Sequence, residues 1–399
     1  MNTIQTGIIS LIKSGITGEK QDLPTSFTME DAYNEIMRHG IAPLAYTGAV
    51  NCGIPKTDAA MQKLFAIYIK QMMRSEAQMA EVDRLLKAFD EAGIDYLSLK
   101  GVNMKKLYPK PELRQMGDAD ILIREEQYGK IQELMPILGF TFKSESDHEL
   151  VWINDNLYLE LHKRLIPSYN KDYYEYYAKG WQLACATEAE PTERHTFKTP
   201  EDEFIFLFTH FAKHYRGGGI GLRHITDLWV YKNAYPELNE TYITEVLDKL
   251  QLLEFYKNIS KSITVWFANE PLDEITDFIT EYIFSSGNWG SLDVHALSHA
   301  VQEGQTSNAS KYKKARYILC RAFPDKDFML SYYPFLKKCP YLYPIFWPVR
   351  QLNALMFKRN RVKTYWTTYN DIAKIETFQD SLDYVGLRFN FTRKDINSK

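Results

Sequence analysis

From Thr28 to His39 and again from Asp58 to Ala92, apolar residues recur at intervals of three and four, and Gly40 and Gly93 follow the two runs. That spacing predicts two amphipathic helices, each stopped by a residue at ease in the left-handed region. The stretch before them, Met1 to Lys20, reads as a first helix. At Ile94 the pattern changes: Ile94 to Leu99 is too short for a helix and rich in strand formers, so it predicts a strand ending at Lys100-Gly101. A short helical stretch runs to Leu107, a loop bracketed by Pro109 and Pro111 reaches Gly117, and Asp118 to Ile123 reads as a second strand. A helix from about Glu125 to Leu138, kinked at Pro136 and closed by Gly139, follows. Glu149 to Ile153 and Leu157 to His162 predict two more strands, joined by Asn154-Asp155-Asn156, residues that tolerate left-handed backbone.

The sheet should therefore lie within about 94 to 165, and from Tyr169 the helical period returns and continues to the end. Thr199-Pro200-Glu201-Asp202 is a helix entry with a capping hydroxyl, proline at the first helical position and acids in the first turn. That helix should run through Phe204 to Tyr215, end at Gly217-Gly218-Gly219, and be followed by another near Gly221. The expected organisation is a helical region over 1–93, an α/β core over 94–167 and a helical region over 168–399, an α+β chain. The tyrosine cluster Tyr173 to Tyr177 reads as packing.

Composition narrows the function. With 45% hydrophobic and 14% aromatic residues, the chain has enough apolar surface to offset its ordering entropy, which excludes a largely disordered protein. A net charge of -3 gives no global footprint for duplex nucleic acid. The start lacks the basic and cleavage features of a secretory signal, and the most apolar window, Tyr341 to Phe357, is broken by Pro344, Pro348, Arg350 and Gln351, so no bilayer span is expected. Cys52, Cys185, Cys320 and Cys339 show neither disulfide-framework nor zinc spacing, and reduced thiols in a cytoplasmic protein are the expectation. Arg350, Lys358, Arg359, Arg361 and Lys363 follow the aromatic stretch and read as a solvated helix face, with an anionic membrane surface as the alternative.

The chemistry concentrates at Gly117-Asp118-Ala119-Asp120. In a strand, Asp118 and Asp120 project from one face while Ala119, Ile121 and Ile123 face a core. Two adjacent carboxylates repel unless solvated or bridged by a hard divalent cation. Leu157 to His162 places Glu160 and His162 on one face, offering a third carboxylate. Lys100, Lys105, Lys106 and Arg114 lie between the first strand and the acidic pair, available to phosphate. Farther on, His210 and His214 share a helix face and could, with His224 and Asp227, imitate a metal site; hydrogen-bonded packing is the plainer reading. Lys213 and Arg223 could make that face a nucleotide or acceptor contact.

The strand-glycine-helix unit, the D-x-D flanked by apolar residues and the strand with a third carboxylate together resemble the nucleotidyltransferase superfamily that shares the DNA polymerase beta palm. More closely, L-K-G, L-Y, R-x-M-G-D-x-D-I-L-I, G-F and L-E-L-H resemble the bacterial uncharacterised nucleotidyltransferases, over roughly Tyr96 to Leu165. His210, His214 and Arg223 to Leu228 resemble that group's helical C-terminal half more loosely. The resemblance implies a small mixed palm-like sheet. It implies two-metal transfer from an NTP to a hydroxyl acceptor, with Asp118, Asp120 and Glu160 catalytic and ligating Mg²⁺ or Mn²⁺. Lys100, Gly101, Arg114, Gly117 and His162 would then bind the nucleotide. Val102 follows Gly101 where the superfamily has glycine or serine. The alternative is therefore a catalytically inactive relative that binds a nucleotide or a partner; a metal-dependent phosphohydrolase built on the histidines is a third reading.

Overall fold

The computed structural model describes residues 1–146, 148–167, 170–186, 195–288, 290–302, 323–324, 326, 329–330, 333–357 and 359–388. Four helices open the chain: α1 (Thr3–Thr17), α2 (Met29–Arg38), α3 (Ala42–Asn51) and α4 (Ala59–Glu91). Side chains of Asn2, Thr28 and Asp58 cap α1, α2 and α4 by accepting from backbone N–H groups of the first turn. Helix α4 serves two cores. Its first half buries Met61 and Leu64 among α1 to α3, and its second half buries Val82, Leu85, Leu86 and Phe89 against the sheet. Between them a buried polar stripe, Gln71, Ser75 and Gln78, faces the chain that leads to the acidic pair.

The sheet is built from β1 (Tyr96–Ser98), β2 (Ala119–Ile123), β3 (Thr141–Glu145), β4 (Glu149–Ile153) and β5 (Tyr158–His162), in the order β1-β2-β5-β4-β3. Only β2 and β5 run parallel; the other neighbours are antiparallel. Helix α5 (Gly101–Leu107) follows β1, and α6 (Tyr128–Ile137) follows β2 after a short 3-10 turn. Alternation along β2 sends Ala119, Ile121 and Ile123 into one core and Leu122 into the other. The fold class is thus the expected α+β arrangement with a small mixed sheet, and the four expected strands form, Glu149–Ile153 at its predicted limits and the others within two residues of theirs. Strand β3 was not expected. Four of its five residues are exposed, so this edge strand has no burial alternation to read.

After the sheet come α7 (Lys171–Tyr177), β6 (Ala184–Ala186), β7 (His195–Phe197), α8 (Pro200–Gly217), α9 (Leu222–Ala234), α10 (Glu240–Lys249), α11 (Leu253–Phe267), α12 (Glu274–Ser286) and α13 (Leu292–Gln302). Three more helices span Phe346–Phe357, Arg359–Asn370 and Ile372–Tyr384. The antiparallel ribbon β6-β7 corrects the uninterrupted helical reading after Tyr169: three-residue strands are too short to show a period of two. Helix α8 begins as expected, Thr199 accepting from the Asp202 N–H at 3.1 Å. Tyr173 and Tyr177 are core residues, the Tyr177 hydroxyl lying 2.8 Å from that of Thr209. Tyr169, Cys320 and Lys358 lie outside the described residues; Cys52, Cys185 and Cys339 are free thiols. Among the described residues no helix is long and apolar enough to cross a membrane. Ile345, Val349, Leu352 and Met356 are exposed along the Phe346–Phe357 helix and its entry, so this segment is less buried than an aromatic core would be.

Candidate active site

Parallel pairing of β2 with β5 sets Asp120 directly opposite Glu160, and His162 one pleat farther along the same face. Asp120 is buried, and its Oδ1 accepts from two groups at 2.8 Å each, Lys100 Nζ and His162 Nε2. His162 Nε2 is also 3.7 Å from Glu160 Oε2. Lys100 reaches this position because the chain turns sharply between β1 and α5. Its backbone sits at φ 40°, ψ -106°, a region that disfavours any residue with a Cβ, and such strain persists only where the surroundings hold it.

The charges are unevenly balanced. Burial alone would raise the Asp120 carboxyl, but Lys100 and His162 hold it well below the usual carboxylate range. Burial pulls the Lys100 ammonium down, and Asp120, Asp118 and Glu160 together outweigh it and hold the group above its ordinary value. For Glu160 the balance goes the other way: burial, then the neighbouring carboxylates Asp120, Glu149 and Asp118, outweigh the pull of Lys100 and push it up to about 8. Asp118 is raised for the same two reasons, burial and Asp120. A set of hard oxygen donors whose mutual repulsion Lys100, His162 and Arg223 offset only in part suits a small divalent cation.

Asp118 and Glu160 open onto a cleft of about 470 Å³ whose walls include Gln71 and Arg74 from α4, Gly117, Tyr158, Arg223 and Asn288. Arg223 donates through Nη1 to the Gln115 carbonyl at 3.0 Å, and its Nε has no partner. Gln71 is buried with its Nε2 unpartnered. Two guanidiniums and several amides thus face two carboxylates across a space large enough for a small polyanion.

The other predicted residues divide into two sets. Arg114 is buried and grips Asp227 with two hydrogen bonds of 2.8 Å, and the Tyr108 hydroxyl donates to the same carboxylate at 2.8 Å. The remaining Arg114 nitrogen reaches the Gly101 carbonyl at 3.4 Å. Lys105 is fully buried, its ammonium donating to Ser75 Oγ and to the carbonyls of Pro111 and Arg114. These groups fasten the loop that carries Gly117 and Asp118; they do not line the cleft.

His210 and His214 contact each other through their Nε2 atoms at 3.0 Å, and His224 lies behind them with ring centroids 6.1 Å from His214. Burial first, then neighbouring positive groups, pulls all three well below their ordinary values, which favours the neutral imidazoles. Lys213, on the same helix, is pulled down to about 8 by burial and Lys100 against the attraction of Asp120, Glu149 and Glu160. Among the described residues, two groups of three side chains could hold a metal ion: Asp120, Glu160 and His162, and His148, Glu149 and His162. Asp118 belongs to neither, and the histidines of α8 and α9 form none.

Sequence reasoning missed Gln71, Arg74, Tyr158, Asn288, His148 and Glu149. The only signal for the first two was their place on the polar side of a long amphipathic helix, where solvation is the ordinary reading. A family model described as "Uncharacterised nucleotidyltransferase" matches residues 25–268. No curated protein and no solved structure matches the chain.

Proposed function

Since the chain belongs to the uncharacterised nucleotidyltransferase family, we propose that it moves a nucleoside monophosphate from an NTP to a hydroxyl-bearing acceptor with release of pyrophosphate. The observation that carries this reading is the opposition of Asp120 and Glu160 on parallel strands, with Asp118 beside them on an arginine-bearing cleft.

Asp118, Asp120 and Glu160 would hold Mg²⁺ or Mn²⁺. When bound, that ion would neutralise charge developing on the phosphate oxygens. The chain's own residues supply the rest. Arg74 and Arg223 meet the triphosphate, Arg223 being oriented by its bond to the Gln115 carbonyl. The fixed guanidiniums contribute chiefly by positioning, which is most of what phosphoryl chemistry asks of a protein. As the alternative to holding the ion, Glu160, raised to about 8 in the ion-free chain, would serve as the base that takes the proton of the acceptor hydroxyl. The freed oxygen forms a bond to the α-phosphorus, the bond to the bridging oxygen breaks, and pyrophosphate leaves with that electron pair. Lys100 and His162 keep Asp120 ionised throughout.

The experiment is transfer of label from each α-phosphate-labelled NTP to fractions of a cell extract, with wild type and with Asp118→Asn. Label in an acceptor, lost in the variant, is the expected result. NTP binding without transfer from any fraction would favour the inactive binding module. One feature suits that second reading: Lys100 and His162 already occupy Asp120 Oδ1.

A further inference from the structure

On the same face of the sheet, one strand beyond the carboxylates, His148, Glu149 and His162 bring one ligand atom each to within 4.8 Å of one another. The sheet makes this group: Glu149 opens β4 and pairs directly with His162 on β5, and His148 precedes it by one residue. His148 Nε2 lies 3.1 Å from Glu149 Oε2, and the two imidazole centroids are 5.8 Å apart.

The far nitrogens of both rings are tethered. His148 Nδ1 is 3.3 Å from Ser146 Oγ, which aims Nε2 at the Glu149 carboxylate. His162 Nε2 is held by the Asp120 carboxylate at 2.8 Å, while its Nδ1, on a side chain only 5% exposed, has no hydrogen-bond partner. A buried ring nitrogen left without a partner costs free energy unless something binds it. A metal-ligating histidine ordinarily gives its second nitrogen to a carboxylate or hydroxyl in this way, fixing tautomer and ring plane. His148 and Glu149 are partly exposed, which leaves a route for an ion.

We propose that His148, Glu149 and His162 form a binding site for a divalent transition-metal ion, distinct from the three-carboxylate set. Two imidazoles and one carboxylate suit Zn²⁺, Mn²⁺ or Fe²⁺, with open positions for water, whereas Mg²⁺ favours oxygen donors alone. Zn²⁺ is the reference ion. Bound there, it would lock the His162 ring whose other nitrogen holds Asp120. The site rests on its own geometry and stands whether or not the protein transfers nucleotides.

The test uses the full chain, stripped with a chelator and titrated with Zn²⁺, with metal content measured after desalting. Co²⁺ serves as a second probe, read by its visible absorption. A single tightly held Zn²⁺ per chain is expected. His148→Ala and Glu149→Gln, each shown to be folded by circular dichroism and melting, should weaken it at least about tenfold. Asp118→Asn and Glu160→Gln should retain it. The proposal is overturned if the wild type holds no Zn²⁺, if both His148→Ala and Glu149→Gln bind it as tightly as wild type, or if only the Asp118 and Glu160 variants lose it. In the first case the contact of His148 with Glu149 is a simple ion pair.

Discussion

Arg114 and Asp227, 113 residues apart in the chain, close a two-pronged ion pair of 2.8 Å at each prong in a buried setting. The pair joins the loop that presents Asp118 to helix α9, and Tyr108 completes it. Removing one partner leaves a buried charge without compensation, which costs about 3–5 kcal/mol. Asp227→Asn should therefore lower the denaturant midpoint by a corresponding amount, and Arg114→Met combined with Asp227→Leu should recover much of the loss. Single variants with an unchanged midpoint would show that the pair does not support the fold.

Glu160 should make stability depend on pH. Its native pKa, about 8, lies above its ordinary value of 4.5, so protonation favours the folded state. That contribution is complete below the unfolded value and is lost as pH rises through about 8. Asp120 has the opposite sign: its stabilisation is present above the unfolded value of 3.8 and is lost only as pH falls through its depressed native value. Asp118 adds to the Glu160 trend and the depressed histidines His210, His214 and His224 oppose it, so the comparison with a Glu160 variant is what isolates Glu160. The melting advantage of Glu160→Gln over wild type should grow from about pH 5 to about pH 9. Mg²⁺ should shrink that advantage in wild type by relieving the repulsion. A pH-independent gap would contradict the assignment.

The cleft also depends on a glycine far from the acidic motif. Gly40 has φ +64°, and a Cβ there would come within 2.9 Å of Gln115 Oε1 and 3.2 Å of Asn288 Nδ2, two amides of the cleft wall. Gly40→Ala should cost roughly 1–2 kcal/mol from backbone strain and should also weaken NTP binding. Gly93→Ala is the control: its φ is likewise +64°, and nothing lies within 4 Å of the added carbon. It should lose comparable stability with NTP affinity unchanged. Equal affinities for the two variants would remove Gly40 from the cleft's support.

The sequence carried the strands around the acidic pair clearly, because Ala119, Ile121 and Ile123 alternate with polar or differently buried positions and Leu157 to His162 does the same. It could not carry the register that sets Asp120 opposite Glu160, since register is fixed by tertiary pairing across some forty residues. Arg114 and Lys105 were readable as phosphate ligands only because their partners were invisible: Asp227 comes much later in the chain, and Ser75 lies on the preceding helix. The strain at Lys100 left no signal in the sequence; the departure from the superfamily's turn that the sequence showed was Val102 after Gly101, where glycine or serine is usual. The edge strand β3 and the ribbon β6-β7 escaped because neither shows a burial pattern of period two.

The cleft beside Asp118 and Glu160 should bind an NTP together with a divalent cation. The most direct measurement is thermal unfolding of wild type, Asp118→Asn and Glu160→Gln with ATP, GTP, CTP and UTP in turn, with and without Mg²⁺. These two positions are preferred to Asp120, whose loss would also strip Lys100 of its partner. A ligand at a hundred times its Kd adds about 2.7 kcal/mol to stability, a readily measured shift. The expected result is a Mg²⁺-dependent shift with at least one NTP in the wild type that is absent from both variants. No shift with any NTP in the wild type, or an equal shift in all three proteins, would mean that Asp118 and Glu160 form no NTP site.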